Sequence, residues 1–113
     1  MNYLDHEYLV PIIIGSGRAA TACARRISKN SGRQVHLFAD SFGFLHKLFY
    51  RCHKVSPVRD ELIIESLTAF AESLEDYFCP VVFVCDSFSR EFVEKHSEFV
   101  ESLVLVQDVD ELS

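Results

Sequence analysis

Two glycines and an arginine, Gly15-Ser16-Gly17-Arg18, follow directly on the apolar run Leu9-Val10-Pro11-Ile12-Ile13-Ile14. An apolar strand that turns on glycines into a helix of small residues is the opening of a Rossmann-like crossover. In such a turn the first backbone N–H groups of the helix point away from the carboxyl end of the strand. Together with the helix dipole they favour a phosphate or a carboxylate. Arg18 adds a guanidinium fork for the same anion. Gly15 allows the sharp bend, and Gly17 carries no Cβ to block a ligand or the helix. Ala20 is small enough for the helix to lie tightly on the strand. The same turn also serves as scaffold alone, and the residues leave both uses open.

Two acids stand at comparable places. Asp40 ends the second apolar run, 23 residues after Gly17, where a dinucleotide-binding domain places its ribose-binding acid. Asp40-Ser41-Phe42 fits a helix N-cap better. Asp86 lies in Cys85-Asp86-Ser87, after the strand expected at Val81–Cys85. In a doubly wound sheet that tip shares an edge with the glycine turn, so Asp86 is placed to face the same crevice. A nucleophilic Cys85 needs a nearby base, and no histidine adjoins it in sequence. A buried thiol followed by helix-capping Asp86 and Ser87 is the better reading. Histidines 6, 36, 46, 53 and 96 are scattered, and His46 with Cys52 and His53 lacks a zinc spacing. No metal site is expected. Neither a G-x-x-x-x-G-K-[ST] nor a G-x-S-x-G pattern occurs, which removes support from P-loop and hydrolase readings.

Those side chains need a scaffold, and 113 residues supply one domain with room for a core. The apolar share of 49% and charged share of 25% are those of a soluble globular protein. No apolar stretch is long enough for a membrane span. The first apolar run follows Asp5 and Glu7 and ends in glycines, unlike a signal peptide. Cysteines 23, 52, 79 and 85 form no C-x-x-C pair, and three sit in apolar runs. Reduced, buried thiols and a cytoplasmic location are expected. The net charge of −6 is unevenly spread. Residues 1–56 hold 8 Lys and Arg against 3 Asp and Glu, whereas residues 57–113 hold 3 against 14. An acidic total argues against general nucleic-acid binding. The split predicts two oppositely charged solvated faces, or a cationic rim near the glycine turn that attracts an anion.

Periodicity sets the order of elements. Residues 9–14 read as a buried strand. Ala20, Cys23, Ala24 and Ile27 form the apolar stripe of a helix over 18–30, with Arg18, Arg25 and Lys29 on its exposed side and Gly32 as a left-handed stop. A strand over 35–39 follows. Phe44, Leu45, Leu48 and Phe49 have the spacing of a short amphipathic helix within 42–50. A third strand is expected at 53–56, then a helix over 60–77 with Ile63, Leu67, Phe70 and Leu74 buried. Pro80 is expected to break that helix ahead of the strand at 81–85. A helix over 88–100 capped by Ser87, with Phe88, Phe92 and Phe99 inward, leads to a last strand at 103–106. The tail from Gln107 reads as acidic and loose. Strictly alternating strands and helices imply an α/β, three-layer Rossmann-like domain with a five-stranded, mostly parallel sheet.

With these elements in place, residues 10–106 resemble the N-terminal, pre-ATP-grasp domain of ATP-grasp proteins akin to the carbamoyl-phosphate synthase large subunit. The likeness rests on Ile13-Ile14-Gly15-Ser16-Gly17-Arg18-Ala19-Ala20 and on Val35-His36-Leu37-Phe38-Ala39-Asp40. It continues through Leu45-His46-Lys47-Leu48-Phe49-Tyr50-Arg51-Cys52-His53-Lys54-Val55, Pro57, the helix over 60–77 and Val82-Phe83-Val84-Cys85-Asp86. The family usually has Thr or Ser where Cys85 stands. The resemblance implies a domain of about residues 9–106 that begins a longer protein and is not catalytic alone. ATP and magnesium would be held by a following ATP-grasp module, and the whole enzyme would ligate a carboxylate through an acyl phosphate. This domain would form one wall of the substrate site, with Gly15, Ser16, Gly17, Arg18 and Asp86 meeting a small carboxylate or phosphate. Two other classes stay open. An NAD(P)-binding Rossmann module would use Asp40 on a ribose, and a non-catalytic interaction domain would use the acidic helix over 60–77 as its outer face and form a homodimer.

Overall fold

The structure is a computed structural model that describes residues 8–108. The elements alternate as β1 (Leu9–Ile14), α1 (Arg18–Ser31), β2 (His36–Ala39), α2 (Phe44–Phe49), β3 (Arg51–Lys54), α3 (Asp60–Ser73), β4 (Cys79–Val84), α4 (Ser87–Lys95), α5 (Ser97–Leu103) and β5 (Leu105–Asp108). The five strands form one sheet in the order β3-β2-β1-β4-β5, and every neighbouring pair is parallel. The expected three-layer, Rossmann-like α/β architecture is the one observed, with β1 at the centre.

A parallel sheet needs cover on both faces, and the strand residues alternate accordingly. Ile12, Ile14, Phe38, Val82 and Val84 point to one side, where α3, α4 and α5 bring Ile63, Leu67, Phe92, Val93 and Val100. Leu9, Ile13, Leu37, Val81 and Phe83 point to the other, against Ala20, Cys23, Ala24 and Ile27 of α1. The small side chains of that stripe are fully buried, so α1 lies close on the sheet. Gly32 caps α1 in the left-handed region at φ 69°, its N–H bonded to Ser28 O at 2.9 Å.

Two prolines sit inside strands without breaking them. Pro11 pairs with Val81 in register, and the β2 ladder begins one residue later at Ile12. Pro80 pairs with Val10, and the β5 ladder likewise begins one residue later at Val81. Each missing N–H therefore falls ahead of the strand's second ladder, where a proline is tolerated. Pro80 is thus part of β4 rather than a breaker before it, and α3 already ends at Ser73.

Other boundaries differ from the sequence reading for local reasons. β3 starts at Arg51, two residues early, because it pairs in register with His36–Ala39. The helix expected over 88–100 is two helices that meet at His96, whose φ of −117° and ψ of 31° interrupt the helical path. Phe88 is 43% exposed, whereas Phe92 is buried. β5 begins at Leu105, and Gln107 is no loose tail: it is buried and pairs with Phe83. Residues 109–113 of the expected tail, and the Asp5 and Glu7 that precede the first strand, lie outside the described residues.

At the β2–β3 edge, His36 Nδ1 and His53 Nε2 share a hydrogen bond of 2.9 Å. Phe38 stacks on His53 with centroids 4.4 Å apart, and Phe70 of α3 closes over both histidines. Burial, then the neighbouring His53 and Arg51, lowers His36 from 6.5 to about 4, and burial with Arg51 lowers His53 too. The folded state thus prefers neutral rings, and the unfolded chain takes up protons first as pH falls. Their contribution should be complete above pH 6.5 and lost progressively toward about pH 4. Urea unfolding at a series of pH values should show this slope, and His36→Phe should flatten it; an unchanged slope would refute the assignment. In the same titrations, Ile13→Ala should lose about 3–4 kcal/mol, whereas Leu48→Ser on exposed α2 should stay within about 0.5 kcal/mol of the parent.

Candidate functional site

In a parallel sheet the carboxyl ends of the strands gather at one rim, and the crevice opens where the strand order reverses. Here that point lies between β1 and β4, the two strands that end at Ile14 and Val84. Gly15, Ser16, Gly17 and Arg18 leave β1 at this rim, and Asp86 leaves β4 beside them. Gly15 lies at φ 119°, a conformation that side chains resist. Its N–H donates to Phe38 O at 2.8 Å, and Ser16 Oγ donates to Ser41 O at 2.9 Å. Both bonds pin the turn to the end of β2. A Cβ at Gly15 would lie 3.9 Å from Ala20 Cβ and from Asp86 Oδ2, so the glycine turn and Asp86 do come together.

Gly17 is the N-cap of α1, extended at φ −74° and ψ −174°. A Cβ there would meet no described atom within 4 Å. Ala20, not Gly17, is what brings the helix onto the sheet. Gly17 and Arg18 are exposed, and Arg18 has no ion pair among the described residues. The open space over Gly17 borders the start of a 14-residue helix, whose first N–H groups lack intrahelical partners.

Asp86 has a structural duty that the sequence reading divided differently. It is the N-cap of α4, with Oδ1 accepting from Ser89 N at 2.8 Å and from Ser89 Oγ at 2.8 Å. The buried Ser89 hydroxyl in turn accepts from Cys85 N at 3.1 Å and Asp86 N at 3.2 Å. Ser87 is the first helical residue rather than the cap. The Asp-x-x-Ser spacing is a capping-box pattern, and it was the available signal for Ser89. Asp40 is exposed at the tip of β2 and caps nothing: α2 starts at Phe44, with Gly43 as its N-cap.

Cys85 is half-buried and meets Cys23 of α1, a pairing that distance along the chain hides. The neighbouring Cys85 side chain raises Cys23, with burial adding to the effect. The same contact lowers Cys85, against burial and the Asp86 charge. Only Cys23 is fully buried; Cys52, Cys79 and Cys85 are partly exposed, and all four are free thiols. No group of three or more His, Cys, Asp or Glu able to hold a metal occurs among the described residues.

A second concave feature lies off the rim. A cavity of about 740 Å³ separates α1 from α2 and excludes the glycine turn. A chain of hydrogen bonds holds the two helices apart at one end. Gly43 N donates to His46 Nδ1 at 3.2 Å, which leaves the proton on Nε2. That Nε2 lies 2.8 Å from Thr21 Oγ1, whose own hydrogen goes to Gly17 O at 3.0 Å. His46 is thus a strut between α2 and the glycine turn, and no sequence spacing marked it as one.

Comparison with protein-family models, curated proteins and solved structures returns no match. No helix among the described residues is long and apolar enough to cross a membrane.

The two glycines should respond differently to a methyl group. Gly15→Ala should lose about 1–3 kcal/mol through backbone strain alone, because its Cβ contacts are ordinary. Gly17→Ala should stay within about 1 kcal/mol, since lower freedom in the unfolded chain offsets a poorer cap residue. Chemical denaturation of both variants checks this, and equal losses would contradict the geometry.

Proposed function

We propose that this domain is the substrate-side wall of an ATP-grasp ligase-like protein, orienting a carboxylate or phosphate without catalysing on its own. The observation that carries the reading is the open rim at the β1–β4 switch point. There the unpartnered first N–H groups of α1 and the exposed Arg18 border the free space over Gly17. Fixed amide dipoles and a guanidinium position an anion at little reorganisation cost. The rim is an exposed wall, so a following module would close the site and would hold ATP and magnesium.

Asp86 bears on the choice of ligand. Its Oδ1 accepts two hydrogen bonds from Ser89, while Oδ2 lies 3.9 Å from where a Cβ on Gly15 would stand. A pyrophosphate laid over the turn, as a dinucleotide requires, would meet this carboxylate. A single carboxylate or phosphate held further out, at Gly17 and Arg18, would avoid it. The exposed Asp40 at the tip of β2 favours the competing NAD(P) reading, since it stands where a ribose acid belongs.

Titration of the full chain with acetate and with inorganic phosphate, followed by ¹H–¹⁵N NMR, separates the two. The ligase-wall reading expects shifts concentrated at Gly17, Arg18 and Ala19 that Arg18→Ala removes. A thermal-shift series with ATP, AMP, NAD and NADP should then stay flat. Stabilisation of several degrees by NAD or NADP alone, lost in Asp40→Asn, would establish the dinucleotide reading instead. No NMR response at the rim to either anion would remove the proposal.

A further inference from the structure

The cavity between α1 and α2 lies apart from the rim and has its own chemistry. Thr21, Arg25, Ser28 and Lys29 of α1 form one wall, at a spacing that puts them on one helix face. Phe44, Leu45 and Phe49 of α2, with Tyr50, form the other. The exposures of Phe44, Leu45, Leu48 and Phe49 are 75%, 63%, 60% and 64%, although their spacing is that of a buried stripe. Arg25 and Lys29 make no ion pair among the described residues, and no acidic residue lines the cavity.

We infer that this cavity binds a compact amphipathic anion, an alkyl or aryl body carrying one carboxylate. An apolar wall facing two cations one helical turn apart is complementary to such a molecule, and the volume suits a small ligand. Charge separation narrows the occupant further. Helices α1 and α2 carry Arg18, Arg25, Arg26, Lys29 and Lys47 and no acid, whereas α3–α5 on the opposite face are strongly acidic. A two-fold pair of copies meeting over α2 would set these cations against one another. A head-to-tail copy would match charges but would have to close into a ring or grow into a filament. A bilayer is too broad to fill a cleft between two helices, and six residues of α2 offer little area for insertion. The His46–Thr21 strut keeps the cleft open at the end next to the glycine turn.

Isothermal titration of the full chain with decanoate, below its micellar concentration, tests the inference. Decanoate should bind in a 1:1 ratio. Arg25→Glu/Lys29→Glu should weaken binding at least about tenfold. Phe49→Ser should weaken it as well, and the distant Lys54→Glu should leave it unchanged. Circular dichroism on each variant confirms that the fold persists, which the exposure of all four positions permits. Equal binding of decanol overturns the requirement for an anion. Absence of decanoate binding overturns the proposal. In that case, sedimentation with phosphatidylglycerol vesicles identifies a membrane surface as the occupant, and a dimer that Phe44→Glu dissolves identifies a second copy.

Discussion

The constraint on which the structure depends is that a parallel sheet must be covered on both faces by the helices that connect its strands. Strand β1 bears this most heavily, since it lies at the centre of the sheet and its residues Ile12, Ile13 and Ile14 are almost wholly buried. The cover is unequal. Three helices lie over one face, and on the other α1 alone presses closely on the sheet. Its small stripe permits that closeness, and the closeness leaves α2 displaced to the flank. Phe42 just before α2 and Tyr50 just after it pack against the core on this face, whereas no residue of α2 is buried. Phe44, Leu45, Leu48 and Phe49 face water, and three of them, Phe44, Leu45 and Phe49, line the cleft beside α1.

Much of this was legible in the residues. A continuous β-branched run, small residues at helical spacing and alternating element types fixed the sheet, its parallel sense and the buried face of α1. Periodicity identifies a helix but does not say whether anything lies against its apolar side. That is why the stripe of α2 was recognisable and its exposure was not. The same limit applies to Phe88, which belongs to an inward-looking pattern yet lies near the open start of α4. Strand ends shifted because pairing register is set by the neighbouring strand, as with Arg51 opposite His36 and Gln107 opposite Phe83.

The rim was legible in part. Gly15, Ser16, Gly17, Arg18 and Asp86 were placed together from topology alone, since parallel strands end on one side. Which atoms remain available was not, because that depends on side-chain bonding. Ser89 claims one oxygen of Asp86, and Gly43 rather than Asp40 begins α2. The meeting of Cys23 with Cys85 and the bond from His46 to Thr21 join residues that no local motif links. Long-range contacts of this kind follow from how closely helices pack, which only the assembled structure reveals.

The uneven charge along the chain becomes a polarity across the sheet. The crossover topology sends α1 and α2 to one side and α3, α4 and α5 to the other, so a sequence-halves asymmetry is converted into two faces of opposite sign. Such a field orients an approaching anion toward the α1–α2 side before any contact forms, and its reach contracts as salt rises. In the reading we propose, two influences would compete at the rim: Arg18 and the start of α1 would draw an anion in, while Asp86 would oppose one that settles over Gly15. The available position is then the space over Gly17, bounded by α1 and open outward. A ligand held there would touch the domain on one side only, which is why we propose a wall rather than a complete pocket.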